Sequence, residues 1–393
     1  MVRQRLDFSY AILISVIFTG LIFLLNIFVI NSTFNGYDRN FPGINTERLA
    51  SGFYLHTSHP VFAMRPLTNL AVDSLNRFLN VPIAYGLIAV FASFIILDGI
   101  LVYLCARIFL NSKLAWLSII GFYLTFNILF IFGSNMHTYD EPIQYVFLLS
   151  SLIFLFRKKY IFFTLALLLA TITRETSLFL IPTFLLVAYF HSSINFRKVL
   201  ISLLVVIGIY FIYYWVFSNI TGKLGGSIKY LEQERFLEWR YNIKDWQYTK
   251  ESIIGITLVL LPSIIIFYNF IKKAKLSLSE SEKYLWYAFL GAIIINTPIA
   301  FFTARAQEAR IFALPLLFFW PLSGKIILYY INFFRDKLKI IFLKRKIFKL
   351  SLFLLAIAWL SFTFFDPTFT DFQSRYFYQM YMFITYLSLI IFI

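Results

Sequence analysis

Residues 31–80 read NSTFNGYDRNFPGINTERLASGFYLHTSHPVFAMRPLTNLAVDSLNRFLN. They follow an apolar run, 10–30, and precede another, 82–109. The stretch carries Asp38, Arg39, Glu47, Arg48, His56, His59, Arg65 and Asp73. An unpaired charge inside hydrocarbon costs at least about 2.5 kcal/mol, so the segment belongs at a membrane surface, as a long loop joining two membrane helices. The expected fold class is therefore all-α: a polytopic membrane protein with short surface helices in its first outer loop.

Composition extends this reading to the whole chain. Of 393 residues, 60% are hydrophobic and 14% charged, which excludes an ordinary soluble domain. The formal charge of +16 does not point to nucleic acid, because Lys and Arg fall mainly in short loops between apolar runs. No nucleic-acid partner is expected, and the lipid bilayer is. The single cysteine, Cys105, lies in an apolar run and can form neither an internal disulfide nor a cysteine metal cluster.

Run 10–30 follows Arg3 and Arg5, as a secretion signal would, but it is long enough to span a core of about 30 Å and no small-x-small cleavage site follows it. It reads as a membrane helix with a cytoplasmic N-terminus. Further spans are expected at 82–109, 114–132, 142–156, 160–172, 177–190, 199–217, 253–271, 284–302, 311–330, 348–365 and 377–393, giving about twelve. Spans 142–156 and 160–172 are short for a bilayer, so each extends into flanking polar residues or stops below the surface inside protein. One set of loops is short and basic, with Arg107, Lys113, Arg157, Lys158, Lys159, Arg197, Lys198, Lys272, Lys273, Lys275 and the run 335–349, as expected of the cytoplasmic side. The opposite set, 31–80, 133–141, 173–176, 218–252, 303–310 and 366–375, holds most of the acidic residues. Within 218–252 an amphipathic surface helix is expected, with Trp239, Trp246 and Tyr248 at headgroup depth. It anchors the loop or guides substrate. With no repeat or linker, a single membrane domain over 1–393 is expected.

Four polar elements on the acidic side carry candidate chemistry. In NGYDRN, 35–40, Asp38 lies shortly beyond the first span; an oriented carboxylate there can take a proton from an attacking hydroxyl, although Asp in this context is also an ordinary turn former. FAMRPLTNL, 62–70, supplies Arg65. NMHTYDEP, 135–142, groups His137, Asp140 and Glu141 at the start of a span. Pro142 suits a first helical turn and the carboxylates suit the positive end of the helix, so capping explains them as well as substrate binding does. The fourth element is a pair, Thr173-Arg174-Glu175-Thr176 and Arg305-Ala306-Gln307-Glu308-Ala309-Arg310, each interrupting apolar sequence. Charges so placed are paired or functional. Arg305 and Arg310 suit a phosphate, and salt bridging between loops is the alternative.

An acidic residue just after the first span, followed by Arg65-Pro66-Leu67-Thr68 before the second, resembles the first outer loop of GT-C-type membrane glycosyltransferases, notably the protein O-mannosyltransferase-like branch. The resemblance implies transfer of a sugar from a polyprenyl-phosphate-linked donor to a glycan, lipid or protein acceptor. It further implies that the acidic pair of the second outer loop, here Asp140 and Glu141, positions substrate or, in some branches, a metal. The Asp-x-Asp metal spelling is absent from this sequence, so no cofactor is expected. The two Arg-Glu elements are similar to those of bacterial members.

Together these groups supply a base and cationic help for a departing phosphate at the membrane surface. Asp38 is the candidate base. Arg65, Arg174, Arg305 and Arg310 are candidates for the phosphate, and His137, Asp140, Glu141, Glu175 and Glu308 for holding sugar or acceptor. Single displacement would invert the anomeric centre. A polysaccharide polymerase or ligase would place its largest outer loop later in the chain. A transporter or flippase would show paired mid-bilayer polar positions, where this sequence has Asp98 alone and Pro182, Pro262 and Pro315 in no repeat relation. The Phe, Ile, Lys and Asn usage fits an AT-rich bacterial genome, so the expected location is a bacterial inner membrane with the site facing the periplasm.

Overall fold

A computed structural model describes residues 2–26, 43–58, 60–129, 140–221, 238–274, 278–304, 306 and 309–341, and every regular element among them is helical. Six helices are long and apolar enough to cross a membrane: Leu6–Leu24, Ile83–Phe109, Phe196–Phe217, Trp246–Lys272, Glu280–Thr303 and Leu316–Phe333. The chain is a polytopic integral membrane protein. Two of the expected spans, 348–365 and 377–393, lie outside the described residues.

Helix α1 (Val2–Leu24) precedes the shorter helices α2 (Thr46–Ser58), α3 (Pro60–Ala63) and α4 (Pro66–Leu79). Then come α5 (Ile83–Phe109), α6 (Ser112–Tyr123), α7 (Phe126–Leu129), α8 (Glu141–Phe156), α9 (Tyr160–Thr173), a 3₁₀ helix Glu175–Leu180 and α10 (Ile181–Phe190). The described chain continues through α11 (Phe196–Thr221), α12 (Glu238–Asn242), α13 (Trp246–Ala274), α14 (Glu280–Thr303), a 3₁₀ helix Ala309–Ala313 and α15 (Leu316–Ile341).

The polar residues at helix ends explain several boundaries. Asn111 accepts the Leu114 N–H at 3.1 Å and starts α6. Ser279 and Glu282 form a capping box that starts α14, and Glu282 also takes Lys325 Nζ from α15 at 2.8 Å. The α8–α9 reversal is a Schellman turn: Lys159 N–H reaches Phe154 O at 2.9 Å and Lys158 N–H reaches Leu155 O at 3.0 Å, with Lys158 in the left-handed region at φ 59°.

Arg157, Lys158 and Lys159 are exposed at this turn. The 16 residues of α8 and the 14 of α9 reach about 24 and 21 Å from it, against a hydrocarbon core of about 30 Å. Neither helix alone reaches across that thickness from the basic turn to its far end. Those far ends carry Asp140–Glu141 and Arg174–Glu175.

Between membrane helices the hydrophobic effect gives little attraction, so close packing and polar seams hold the bundle. A Cβ on Gly324 would lie 1.9 Å from the Leu114 carbonyl oxygen, so α15 and α6 touch backbone to backbone only because this residue is glycine. The Gly324 N–H donates to Ser118 Oγ at 3.1 Å, and that hydroxyl donates to Pro321 O. Beside this seam the buried Trp320 ring meets Phe122 and Tyr145 edge-on, at 4.9 and 5.3 Å between centroids. Tyr123 draws in α1 and α5 by donating to Ser15 O and Ile95 O and by bonding Thr19 Oγ1 at 3.0 Å.

Several expected boundaries are corrected. The span 114–132 is not one helix: α6 ends at Tyr123 and α7 starts at Phe126, with the Thr125 hydroxyl bonded back to Phe122 O at 2.6 Å. The span expected from 311 begins at Leu316, because 309–313 winds as a 3₁₀ helix. The run 177–190 is a 3₁₀ helix followed by α10. Trp246 and Tyr248 belong to the first turns of α13, a membrane-length helix, and not to a surface helix. The core of the expected surface helix, 222–237, lies outside the described residues.

Candidate functional site

The first turn of α4, the start of α8, the end of α9 and the 3₁₀ segment 309–313 converge on one buried ion cluster. Arg65 sits just before Pro66, whose fixed φ suits the first helical turn. Its side chain does not cap α4 and forms a fork instead. Nε and Nη2 donate to Glu175 Oε2 and Oε1 at 3.0 and 2.6 Å, and Nη1 donates to Asp140 Oδ2 at 3.1 Å. The Phe62 ring supports this arrangement, with the guanidinium carbon 5.3 Å from its centroid and the His56 ring stacked at 4.5 Å. His56 Nε2 stands 4.0 Å from Asp140 Oδ2.

At the next residue, Glu141 Oε1 accepts from Arg174 Nη1 and lies 2.9 Å from Arg310 Nε. Gln144, on the same helix, donates to Thr176 Oγ1 at 3.0 Å and Ser177 Oγ at 2.8 Å, which fixes the 3₁₀ helix that carries Glu175. Asn242 at the end of α12 holds the chain leading to Arg310. Its Nδ2 donates to Phe301 O and Ala304 O at 2.8 and 3.0 Å, and its Oδ1 accepts the Ala306 N–H at 2.8 Å.

The ionised side chains of the cluster are at most 8% exposed, except Glu175 at 22%. Glu175 is thus the member open to the outside. Three guanidinium groups balance three carboxylates. Asp140 Oδ1 and Arg174 Nε are buried without a hydrogen-bond partner among the described residues.

Burial disfavours the charge on Arg65, but Glu175 and Asp140 outweigh it and raise its pKa above the ordinary value. Burial likewise dominates at Asp140, whose carboxyl is pushed up to about 6 against the pull of Arg65 and Arg174. A carboxyl raised in the folded state keeps its proton longer folded than unfolded. Its stabilising contribution is complete below the unfolded value near 4 and is lost as pH climbs to about 6. The shift corresponds to a loss of about 3 kcal/mol across that window. Thermal unfolding of the detergent-solubilised chain should show this loss relative to Asp140→Asn, in which it is absent. Parallel pH dependences for the two chains would assign the titration elsewhere.

Six of the expected site residues are therefore paired with one another, Arg65 with Asp140 and Glu175, and Glu141 with Arg174 and Arg310. Asp38, His137, Arg305 and Glu308 lie outside the described residues. Capping does not account for the acidic pair: Asp140 makes no side-chain cap bond, and both carboxylates turn to arginines. Of the arginines that the sequence reading offered to a phosphate, with salt bridging as the alternative, Arg65, Arg174 and Arg310 each face a carboxylate.

His56 was not among the expected site residues. Its signal was the spacing Leu49, Phe53, His56, which places the imidazole on the buried stripe of α2. Asp98, the acid within a span, is fully buried in α5 with neither oxygen hydrogen-bonded among the described residues.

Among the described residues no group of three or more His, Cys, Asp or Glu could hold a metal ion. No protein-family model, curated protein or solved structure matches the chain.

Proposed function

We propose that the chain is a GT-C-type membrane glycosyltransferase that moves a sugar from a polyprenyl-phosphate donor to a glycan, lipid or protein acceptor. The observation that carries this reading is the buried, charge-balanced cluster of Arg65, Arg174, Arg310, Asp140, Glu141 and Glu175. Desolvating six charges is seldom repaid in stability, since apolar packing of similar volume does as well or better. A polar site at the end of short helices, inside the membrane's thickness, suits a substrate whose reacting phosphate is tethered to a lipid. Asn26 adds to this, because its Nδ2 bonds Leu129 O at 3.0 Å and so ties the two chain segments that run on into 27–42, with Asp38, and 130–139, with His137.

In the proposed reaction Asp38 takes the proton from the acceptor hydroxyl as that oxygen bonds the anomeric carbon. The bond from that carbon to the phosphate oxygen breaks, the phosphate leaves with the electron pair, and the anomeric centre inverts. Because Arg174 and Arg310 share Glu141, the phosphate competes with that carboxylate for them. Asp140 Oδ1 and Arg174 Nε offer an acceptor and a donor to sugar hydroxyls. The proposal includes about twelve passes once the shorter helices and 342–393 are counted, a cytoplasmic N-terminus, and a site facing the periplasm of a bacterial inner membrane.

The test is the sugar composition of envelope glycans and glycoproteins from cells carrying the intact chain, a deletion, Asp38→Asn or Asp98→Asn. The reading expects one sugar to vanish in the deletion and in Asp38→Asn while that protein still inserts at normal levels. Loss of the sugar in Asp98→Asn but not in Asp38→Asn would replace it with the transporter reading, for which the buried Asp98 is the supporting observation.

A further inference from the structure

Helices α9 and α11 leave a groove of about 390 Å³ between them at the basic end of the molecule. Its walls include Tyr160, Ile161 and Leu165 on α9 and Lys198, Ile201 and Val205 on α11. Ile161, Leu165, Ile201 and Val205 are exposed, so the groove opens sideways, toward the lipid. It runs from Tyr160 to Leu168 on one helix and from Lys198 to Ile209 on the other. Those stretches are about 12 and 16 Å long, close to half of a core about 30 Å thick. The groove is therefore one leaflet deep.

Its mouth is built and charged. Tyr160 OH accepts the Asn195 N–H at 2.9 Å, and the Asn195 side chain accepts the Lys198 N–H at 3.1 Å, which fixes the first turn of α11 against α9. Lys198 Nζ stands over the Tyr160 ring, 5.6 Å from its centroid. Arg157, Lys158, Lys159 and Arg197 are exposed on the two adjoining turns, and 157–160 and 191–198 contain no acidic residue.

We propose that this groove binds an anionic phospholipid of the bilayer, with an acyl chain between α9 and α11 and the phosphate at Lys198. Charge complementarity selects the occupant: a zwitterionic lipid could fill the apolar slot, but a net negative headgroup gains from Lys198 at the mouth and from Arg157, Lys158, Lys159 and Arg197 on the adjoining turns, five cations against the Glu280 carboxylate that acts on His191 there. The site is separate from the ion cluster, because Tyr160 and Arg174 lie at opposite ends of α9. It thus belongs to the other leaflet and does not depend on the reaction proposed above.

The experiment reconstitutes the full chain in phosphatidylcholine vesicles containing a trace of phosphatidylglycerol or phosphatidylcholine with a photoactivatable diazirine in the acyl chain, and maps the labelled peptides. Phosphatidylglycerol should label 160–168 and 198–209 several-fold more than phosphatidylcholine does. Lys198→Gln, at an exposed position and with folding checked by circular dichroism, should lower that label about fivefold and leave the phosphatidylcholine label unchanged. Val205→Trp should lower both by filling the slot. Equal labelling by the two lipids, or no response to either variant, would overturn the proposal and leave an unselective lipid-facing surface. Displacement of the label by an equimolar polyprenyl phosphate would overturn it in favour of the carrier lipid.

Discussion

Glu141→Gln is expected to cost the folded chain about 3 to 5 kcal/mol and to lower the proposed transfer activity by at least about a hundredfold. The substitution keeps the shape and removes one charge. That charge is the shared counter-ion of Arg174 and Arg310, whose side chains are only 7 and 8% exposed, so two guanidinium groups would be left close together without a carboxylate between them. Neither can move out to water without pulling on its short helix end. Removing one of these two cations as well should restore part of the loss, so Glu141→Gln/Arg310→Gln is expected to melt higher than Glu141→Gln alone. The transfer defect should persist in the double variant, because the proposed phosphate partner is then gone. Thermal melts and glycan composition separate the two effects. If Glu141→Gln melted like the intact chain, the ion pairs would not be holding the cluster together.

Glu141 also shows what could and could not be read along the chain. Polar residues in so apolar a sequence stand out, so Arg65, Asp140, Glu141, Arg174, Glu175 and Arg310 were identifiable one by one. Their partners were not, since Arg65 reaches Glu175 across 110 residues and Arg174 reaches Glu141 across 33, and no local rule pairs them. Local rules even pointed elsewhere. Asp140 occupies the position where a carboxylate caps a helix, a contact worth about 0.3 to 1 kcal/mol, yet a buried guanidinium left unpaired costs several times more, and Arg65 takes the side chain. Hydropathy located the long helices well. It missed the break at Leu124 and Thr125, where neither Gly nor Pro marks the interruption and the Thr125 N–H and hydroxyl both return to Phe122 O.

Arg65→Lys is the second substitution with a large expected effect, and it asks whether the cluster needs a charge or a fork. Arg65 spends three N–H groups in fixed directions, two on Glu175 and one on Asp140, while its plane lies near the Phe62 ring. An ammonium carries the same charge but not the planar geometry, and it can serve one carboxylate well or two poorly. The expected result is a chain that folds with a loss of about 1 to 3 kcal/mol, and whose proposed transfer activity falls about a hundredfold as Glu175 and Asp140 drift from their places. The pH dependence supplies a sign that a general loss of stability would not. Asp140 already holds its proton to about 6 because burial outweighs the pull of Arg65 and Arg174. Weakening the Arg65 contact removes part of that pull, so the carboxyl should titrate higher and the acid limb of the activity profile should move to higher pH. In Arg65→Lys/Asp140→Asn that limb should disappear. An Arg65→Lys chain with unchanged activity and an unshifted profile would reduce Arg65 to one cation among three, and would remove the geometric basis for assigning it to the site.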